Sequence, residues 1–347
     1  MFKPHYQISP QLLSTIKRIT ILVHELNKRQ VPQVVLAQLL SEAVVTSAYA
    51  STSIEGNPLP LTEVRRILKN KPEHLRQSEQ EVLNYNQVLT LLNAPPDIAF
   101  TSELLLSIHR GVTQNLLPAH QVGRWRQEPG VVYEPRTGRI VYLPPDYEEV
   151  ERLMAELVEF VQKERQRLDA LLLAGIFHKQ FVLIHPFIDG NGRTTRLATK
   201  VLLAGLGLNF FNLLSFETYY NQNVTRYFQK VGVYGDYYDL ADRLDFTPWL
   251  EYFAEGILDE LLRLEKQLER HQSTPDTRLK PHHQAILSYI DQHCFITDRD
   301  YAQLTHRAKS TRHRDFKKLI QLGLIERKGR GRNSHYQRKA EAEIPRF

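Results

Sequence analysis

The stretch from His185 to Arg196, HPFIDGNGRTTR, constrains this chain more than any other. It lies between two apolar segments with helical periodicity, residues 171–183 and 196–208. Proline and two glycines oppose a continuous helix, so residues 186–192 are expected to form a turn between two helices. The sequence therefore predicts helix, turn and helix, with an imidazole, a carboxylate, an amide and two guanidinium groups gathered in one short segment.

The groups in this turn are those that bind a phosphate chain. Gly190 and Gly192 let the backbone bend and approach a ligand closely. The first N–H groups of the following helix have no partner within that helix, and its dipole favours anions there. Arg193 and Arg196 stand three residues apart on one helical face and offer forked donors to phosphate oxygens. Asp189 can hold a hard cation that bridges phosphate oxygens.

His185 is the side chain in this stretch that titrates near neutrality, so it could take a proton from an attacking hydroxyl. Together the groups predict nucleotidyl or phosphoryl transfer.

Each part alone has a simpler explanation, because Gly-Asn-Gly is often only a turn and an apolar-flanked histidine is often a core residue. The spacing of His185 and Asp189 would suit a helical zinc pair, but Pro186 and the glycines interrupt that helix. A Walker phosphate loop is excluded, since no Gly-Lys-Ser/Thr follows.

At every fixed position this stretch resembles the signature of the Fic family, His-x-Phe-x-Asp/Glu-Gly-Asn-Gly-Arg-x-x-Arg. The resemblance implies an all-helical core that transfers AMP from ATP to a hydroxyl side chain of a protein. It implies that His185 is the general base and that Asp189 is the ligand of Mg²⁺. The implied phosphate-binding residues are Gly190, Asn191, Gly192, Arg193, Thr194 and Arg196. Related Doc-type kinases vary the Gly-Asn-Gly-Arg portion, so its presence here favours AMP transfer over phosphate transfer.

A second motif precedes the first by more than a hundred residues. The pattern of residues 34–51 predicts a helix that stops near Gly56. On the residues alone, Glu55 is a carboxylate in the last turn, unfavourably placed for the helix dipole and solvated. However, Ser51-x-x-x-Glu55-Gly56 resembles the Fic inhibitory motif, Ser/Thr-x-x-x-Glu-Gly/Asn. That resemblance implies that Ser51 and Glu55 belong to an inhibitory helix whose glutamate pairs with Arg196.

A β-hairpin is predicted between the two motifs. Two short β-prone runs flank a five-residue turn at 134–138. An isolated hairpin is marginal, so it should rest on another element or be used for binding. Its position resembles the Fic flap, over residues 130–143, which aligns a target segment by strand addition. A purely structural hairpin is the alternative. The residues that would line the target are Val131, Val132, Tyr133, Ile140, Val141 and Tyr142.

After the Fic signature, Tyr219, Asn223 and Tyr227 recur every fourth residue, which predicts one face of a single helix. This segment resembles the adenine-side helix of the family. Asn223 is the better candidate for a nucleotide contact, with an aromatic core stripe as the alternative.

The charge of the chain is concentrated at its C-terminus. The 347 residues carry a formal net charge of +6, yet the segment from residue 276 onwards has 16 Lys and Arg against 8 Asp and Glu. Such an excess is where a polyanion would bind.

The single cysteine, Cys294, excludes an internal disulfide and fits a reducing cytosol. No run is apolar enough for a membrane span and the start opens no signal peptide, so a cytoplasmic protein is expected.

The C-terminal domain resembles a winged helix, with three helices followed by a hairpin. A basic recognition helix and a Gly/Arg wing could contact double-stranded DNA. The candidate residues are Arg312, Arg314, Lys317, Lys318, Arg330 and Arg332. Such domains also serve as protein-interaction modules, and that alternative stays open.

The expected fold is mainly α: a Fic helical core with a β-hairpin flap, followed by a small α+β winged-helix domain. The predicted divisions are an N-terminal helical region (1–98), the Fic core (99–270), a linker (271–280) and the winged-helix domain (281–340). Three functions compete. They are AMP transfer to a protein substrate under control of Glu55, DNA-binding regulation with a nucleotide-sensing core, and removal of AMP. The intact set of motif residues favours a live enzyme, and a homodimer is left open.

Overall fold

The structure is a computed structural model, and it describes residues 2–93, 98–133, 138–272, 279–322, 324–329 and 334–338. The helices are α1 (Pro10–Asn27), α2 (Gln33–Ile54), α3 (Leu61–Lys69), α4 (Gln77–Leu92), α5 (Ser102–Thr113), α6 (Tyr147–Glu164), α7 (Ala170–Ile184), α8 (Asn191–Leu203), α9 (Glu217–Gln222), α10 (Val224–Val231), α11 (Tyr237–Leu240), α12 (Thr247–Gln272), α13 (Pro281–His293), α14 (Asp298–Leu304) and α15 (Lys309–Gln321). The strands are β1 (Val132–Tyr133), β2 (Ile140–Leu143), β3 (Gly235–Asp236), β4 (Phe295–Ile296), β5 (Ile325–Lys328) and β6 (His335–Arg338). The mainly helical fold expected from the sequence is confirmed.

Helices α7 and α8 form the centre of the first compact unit. Every residue of α7 except Ala170 and Val182 is buried, and every residue of α8 except Gly192 is buried. A helix without a polar face must be covered on all sides. Accordingly, α7 packs against α6 and α8, and α8 also packs against α4 and α5. The turn between α7 and α8 is therefore held by elements buried on all sides.

The hairpin belongs to a small three-stranded sheet. β1 and β2 pair antiparallel, with Val132 opposite Tyr142, and β2 also pairs in parallel with β3. The Tyr142 side chain is buried, and its hydroxyl donates to the Leu183 carbonyl at 2.9 Å. Tyr142 therefore anchors the hairpin to α7, and the prediction that its side chain lines a target is wrong. Of the predicted turn at 134–138, residues 134–137 lie outside the described residues.

Contacts divide the chain into two compact units. The first contains residues 2–28 and Ala43–Arg263, so the N-terminal helical region and the predicted Fic core form one body. The second contains Arg29–Glu42 and the described residues between Leu264 and Arg338. The first turns of α2 and the last turns of α12 thus belong to the second unit.

The C-terminal part of the second unit has the predicted order of helices and strands. After α13, α14 and α15 come strands in the order β4-β6-β5, with both pairs antiparallel. Its core includes Ile286, Tyr301, Phe316 and Tyr336, each of which is nearly inaccessible to solvent. The wing residues 330–333, including Arg330 and Arg332, lie outside the described residues.

The recognition helix differs from the prediction at one basic position. Arg312 does not point outward: its side chain is 13% exposed and forms two hydrogen bonds to the Asp298 carboxylate. Arg314 and Lys317 are exposed, and Lys318 is half-buried. Arg312 thus links α15 to α14, and its assignment to a DNA-binding face is wrong.

The helix predicted through Tyr219 and Tyr227 is broken. Asn223 has an extended conformation (φ −143°, ψ 75°), which ends α9, and its side chain accepts a hydrogen bond from Arg226 N at the start of α10. Asparagine favours such capping positions because its side chain replaces a missing helical acceptor. Asn223 is thus an exposed helix cap.

Across the described ranges, no helix combines the length and the apolar character needed to cross a membrane.

Candidate active site

The turn between α7 and α8 is shaped by its own backbone. His185 ends α7 in a left-handed conformation (φ 49°), and Gly190 precedes α8 in another (φ 80°). Glycine adopts this conformation freely, whereas a residue with a Cβ does so at a cost. The Asn191 amide closes the turn, because it accepts from Phe187 N at 3.0 Å and donates to Phe187 O at 2.8 Å. Its side chain is therefore occupied in shaping the turn, and its backbone N–H begins α8.

Arg126 holds the other side of the turn. Its Nε donates to His185 O, its backbone N donates to Pro186 O, both at 2.9 Å, and its guanidinium also donates to Pro145 O. The residue is 2% exposed. A buried guanidinium that donates to several carbonyls fixes their relative positions. Arg126 thus fixes His185 in its unusual conformation and joins the turn to the end of the hairpin.

His109 supports the turn from α5. Its ring stacks on the buried Phe187 ring, with centroids 3.6 Å apart. Gly123 N donates to His109 Nδ1 at 3.0 Å, so Nε2 carries the hydrogen that faces Asp189 O, also at 3.0 Å. Burial lowers the pKa of His109 to about 4. The ring is therefore neutral at neutral pH and serves as a fixed support.

Unsatisfied polar atoms are concentrated at this turn. Among the described residues, buried side-chain atoms without a hydrogen-bond partner include His185 Nδ1, Arg193 Nε, Thr194 Oγ1 and Arg196 Nη1. Buried polar groups in native proteins are nearly always paired, so such a cluster requires an explanation. Three of these atoms can donate to an anion, and they lie at the N-terminus of α8, where the helix dipole favours one.

Arg196 is fully buried and is held by the inhibitory motif predicted from the sequence. Its Nε donates to Ser51 Oγ at 2.7 Å, and its Nη2 donates to Ser51 O and to Glu55 Oε1, both at 2.8 Å. Glu55 also covers the glycine turn: a Cβ built on Gly192 would lie 2.0 Å from Glu55 Oε1. The carboxylate of Glu55 therefore occupies the space directly over the first turn of α8, where the unpaired donors lie.

Arg193 has two carboxylate partners. Its Nη1 lies 2.9 Å from Glu81 Oε1 on α4, and its Nη2 lies 3.1 Å from Asp189 Oδ1. Glu81 in turn accepts from Asn57 Nδ2 at 2.6 Å, two residues beyond Glu55. Burial raises the pKa of Glu81, although Arg193 opposes that shift. Both motif arginines are thus held by carboxylates of the N-terminal helical region.

His185 and Asp189 are the two reactive groups at the rim. Burial lowers the pKa of His185 to about 4, against a smaller opposing effect of the Val182 backbone, so the imidazole is neutral and can accept a proton. The Asp189 side chain is 58% exposed, and its Oδ1 accepts from Gly190 N at 2.5 Å. The site therefore combines a neutral base, an exposed carboxylate and a set of buried cationic donors, which suits the transfer of a phosphorus-containing group.

Arg126, His109 and Glu81 were not predicted as parts of this site. They lie outside the signature, and the signature residues that they contact through hydrogen bonds or ion pairs are 59 to 112 positions away in the chain. A basic residue flanked by Trp125 and Gln127 gives no local pattern that would distinguish a buried arginine from a surface one. Glu81 carries no signal either, because glutamates are common on the polar face of a helix such as α4.

Comparison with known proteins agrees with this geometry. Residues 99–203 match the model of the Fic/DOC family. The chain is 27% identical over 226 residues to a protein named protein adenylyltransferase Fic from Nematostella vectensis, an alignment that covers 63% of this chain and 48% of that protein. It is 26% identical over 271 residues to protein adenylyltransferase fic-1 from Caenorhabditis elegans, covering 75% and 49%. The chain thus spans about half the length of these relatives.

Solved structures show the same fold. A Fic family protein from Desulfovibrio desulfuricans G20 superposes with a TM-score of 0.65 and 21% identity, covering 98% of this chain and 99% of that one. Fic-1 from C. elegans, residues 134–508, superposes with a TM-score of 0.58 and 24% identity, covering 75% and 72%. At these identities the likeness supports the fold alone.

The neutral histidines make stability dependent on pH. His109 and His185 have folded-state pKa values lowered to about 4 from 6.5. Between pH 6.5 and 4 the unfolded chain binds protons that the folded chain does not, so the free energy of unfolding should fall as the pH falls through this window. In His109→Gln, the slope against pH should be shallower by up to about 1.4 kcal/mol per pH unit, the contribution of one proton.

Chemical denaturation followed by circular dichroism at several pH values between 7 and 4 would measure how the free energy of unfolding depends on pH in the wild type and in His109→Gln. Parallel curves for the wild type and His109→Gln would contradict a neutral, buried His109.

Proposed function

We propose that the chain, whose residues 99–203 match the model of the Fic/DOC family, is a protein adenylyltransferase, which transfers AMP from ATP to a hydroxyl group of a protein side chain. The observation that carries the proposal is the cluster of unpaired donors at the N-terminus of α8, beside a neutral histidine. The names of the curated relatives support it. The reaction needs both features, an anion site for the nucleotide and a base for the hydroxyl.

The proposed reaction begins when the imidazole of His185 takes the proton of the target hydroxyl. The hydroxyl oxygen then forms a bond to the α-phosphorus of ATP, and the bond from that phosphorus to the bridging oxygen breaks. The products are the AMP ester of the protein and pyrophosphate. A histidine with a lowered pKa is unprotonated at neutral pH, so it is ready for this role in the free enzyme.

The phosphate chain would lie over the first turn of α8. Arg193 Nε, Thr194 Oγ1 and Arg196 Nη1 would donate to phosphate oxygens, together with backbone N–H groups that follow Gly190. Gly192 leaves room for close approach, since a side chain there would fill the space now taken by Glu55. Asn191 contributes by shaping the turn. Asn223 stays a proposed contact on the adenine side.

Mg²⁺ would be held at Asp189. The exposed carboxylate lies at the edge of the donor cluster, and oxygen ligands of this kind, combined with phosphate oxygens, are those that Mg²⁺ prefers. When bound, the ion would neutralise charge on the phosphates. In the present structure Asp189 Oδ1 instead faces Arg193.

We infer that the free enzyme is autoinhibited by Glu55. Its carboxylate engages Arg196 and covers the backbone at Gly192, so it competes with the phosphate nearest Arg196. ATP could then bind only with its phosphate chain displaced, and the α-phosphate would be misaligned for attack. Removal of AMP, with Glu55 placing a water molecule, is the alternative role for this residue.

The protein substrate would pair with the hairpin. Within the described ranges, β2 has neighbours on both sides, whereas β1 pairs only with β2, so the outer edge of β1 is open for strand addition. Tyr133 and Ile140 are 55% and 54% exposed and could contact substrate side chains. Val131, Val132 and Val141 complete the proposed surface. We propose a cytoplasmic location, in keeping with the exposed free Cys294.

The expected result for His185→Ala is a loss of AMP transfer by about a hundredfold or more, since a general base contributes on that scale. ATP labelled at the α-phosphate would report transfer to the chain itself or to a hydroxyl-containing peptide, and a nucleotide-binding assay would show that affinity for ATP is largely retained. ATP labelled at the γ-phosphate serves as the control, because a label transferred from it would indicate a kinase instead. Wild-type turnover in the variant would exclude His185 as the base.

For Glu55→Ala we expect faster AMP transfer, by roughly 5- to 150-fold, the usual scale of a coupling between sites. The matched control is Glu42→Ala, which removes an exposed glutamate from the same helix and should leave the rate unchanged. A decrease in Glu55→Ala would count against autoinhibition and in favour of a catalytic role in AMP removal.

We further propose that the C-terminal domain binds double-stranded DNA, on the strength of exposed Arg314 and Lys317 on α15 and the basic excess beyond residue 276. Arg314→Ala should weaken binding and reduce the dependence of log affinity on log salt by about one. Arg312→Ala is the matched control, because that arginine is committed to Asp298. Titration of a labelled duplex at several salt concentrations measures the affinity and its salt dependence for each variant. No complex at low salt would favour the protein-interaction alternative.

A further inference from the structure

A second cluster of reactive side chains lies in the C-terminal unit, away from the Fic signature in sequence. His282 and His283 stand at the start of α13, and Asp315 is on α15. His282 Nε2 and His283 Nε2 each lie 3.5 Å from Asp315 Oδ1, and one nitrogen or oxygen of each residue lies within 4.8 Å of the others. Three potential metal ligands thus converge on one point.

His283 is the unusual member of this cluster. The residue is 2% exposed, and neither of its ring nitrogens has a hydrogen-bond partner within the part of the chain that the structure describes. A buried polar group that is left without a partner is destabilising. An imidazole that is buried, unpaired and close to a carboxylate is therefore a group whose partner remains to be identified.

The surroundings of Asp315 leave one of its oxygens facing the histidines. Oδ2 accepts from Tyr301 Oη and from Arg307 Nε, both at 2.9 Å. In metal sites, the outer oxygen of a ligating carboxylate is commonly held in this way by neighbouring donors. Arg307 also makes two longer contacts, 3.3 Å to Asp315 Oδ1 and 3.4 Å to His282 Nδ1. These two contacts would open if a cation bound, while the short contacts to Oδ2 could remain.

The separations between Asp315 and the two histidines suit a tetrahedral ion. Zinc binds histidine nitrogen and carboxylate oxygen at about 2.0–2.2 Å, so the ligand atoms of a tetrahedral site lie roughly 3.4 Å apart. The two separations of 3.5 Å agree with this value. Metal binding also requires a lone pair on each ligating nitrogen, which a neutral imidazole supplies.

We propose that His282, His283 and Asp315 form a binding site for a zinc-like divalent transition metal ion, with water in the fourth position. The ion would join the start of α13 to α15 within the C-terminal unit. It would give a ring nitrogen of the buried His283 a bonding partner. The site is independent of the proposed transfer of AMP, since none of its residues belongs to the Fic signature.

The test uses the whole 347-residue chain, freed of metal with a chelator. Isothermal titration with zinc chloride should detect one equivalent bound, and cobalt chloride should give the visible absorption of a tetrahedral cobalt complex. His282→Gln and Asp315→Asn should each weaken zinc binding by about a hundredfold, because each removes one of three ligands. His283→Ala should do the same. His306→Gln, at an exposed histidine of the same unit, is the matched control and should bind as the wild type does.

Circular dichroism of each variant separates lost ligation from lost folding. If His283→Ala does not fold, the two other ligand variants decide the matter. No stoichiometric zinc binding by the wild type at micromolar concentrations, or equal binding by the wild type and all three ligand variants, would overturn the proposal.

Discussion

The buried guanidinium of Arg196 is the constraint on which the arrangement around the site depends. A charge without solvent access is strongly destabilising unless the protein or a ligand compensates it. Here Glu55 and Ser51 provide that compensation from the end of α2. The position of α2 is therefore coupled electrostatically to α8, and the helix that precedes the core by sequence becomes part of the wall of the site. The remaining unpaired Nη1 indicates that the compensation is incomplete.

The same reasoning explains the support around the turn. A short segment that contains a left-handed histidine and a left-handed glycine would not hold one shape alone. Arg126 fixes its carbonyls, Asn191 closes it from within, and His109 stacks beneath it. None of these three interactions uses an atom that the proposed chemistry requires. The atoms that hold the turn in shape are thus different from the atoms proposed to react, although they belong to closely spaced residues. His185 and Arg193 can therefore keep unpaired atoms inside a rigid turn.

Sequence patterns within a few residues predicted those elements whose conformation depends on residues close by in the chain. The two buried helices and the intervening turn follow from apolar periodicity and from the position of proline and glycine. The pairing of Glu55 with Arg196 was anticipated only through the resemblance to a family, since nothing local relates residues 141 positions apart. Arg312 and Tyr142 were misassigned because exposure depends on neighbours, Asp298 and Leu183, that periodicity does not identify. The break at Asn223 lacks proline and glycine, so only the capping bond reveals it.

The hydrogen bond between Asn57 and Glu81 has a consequence for how the site can respond. It joins the segment that carries Glu55 to the carboxylate that holds Arg193. The guanidinium groups of Arg193 and Arg196, both on α8, are thus linked to a single stretch of backbone, Arg196 through Glu55 and Arg193 through Glu81 and Asn57. A displacement of that stretch would alter both at once, so the two arginines form one thermodynamic unit instead of two independent contacts. Any event that shifts residues 55–57 therefore affects the carboxylate partners of both arginines together.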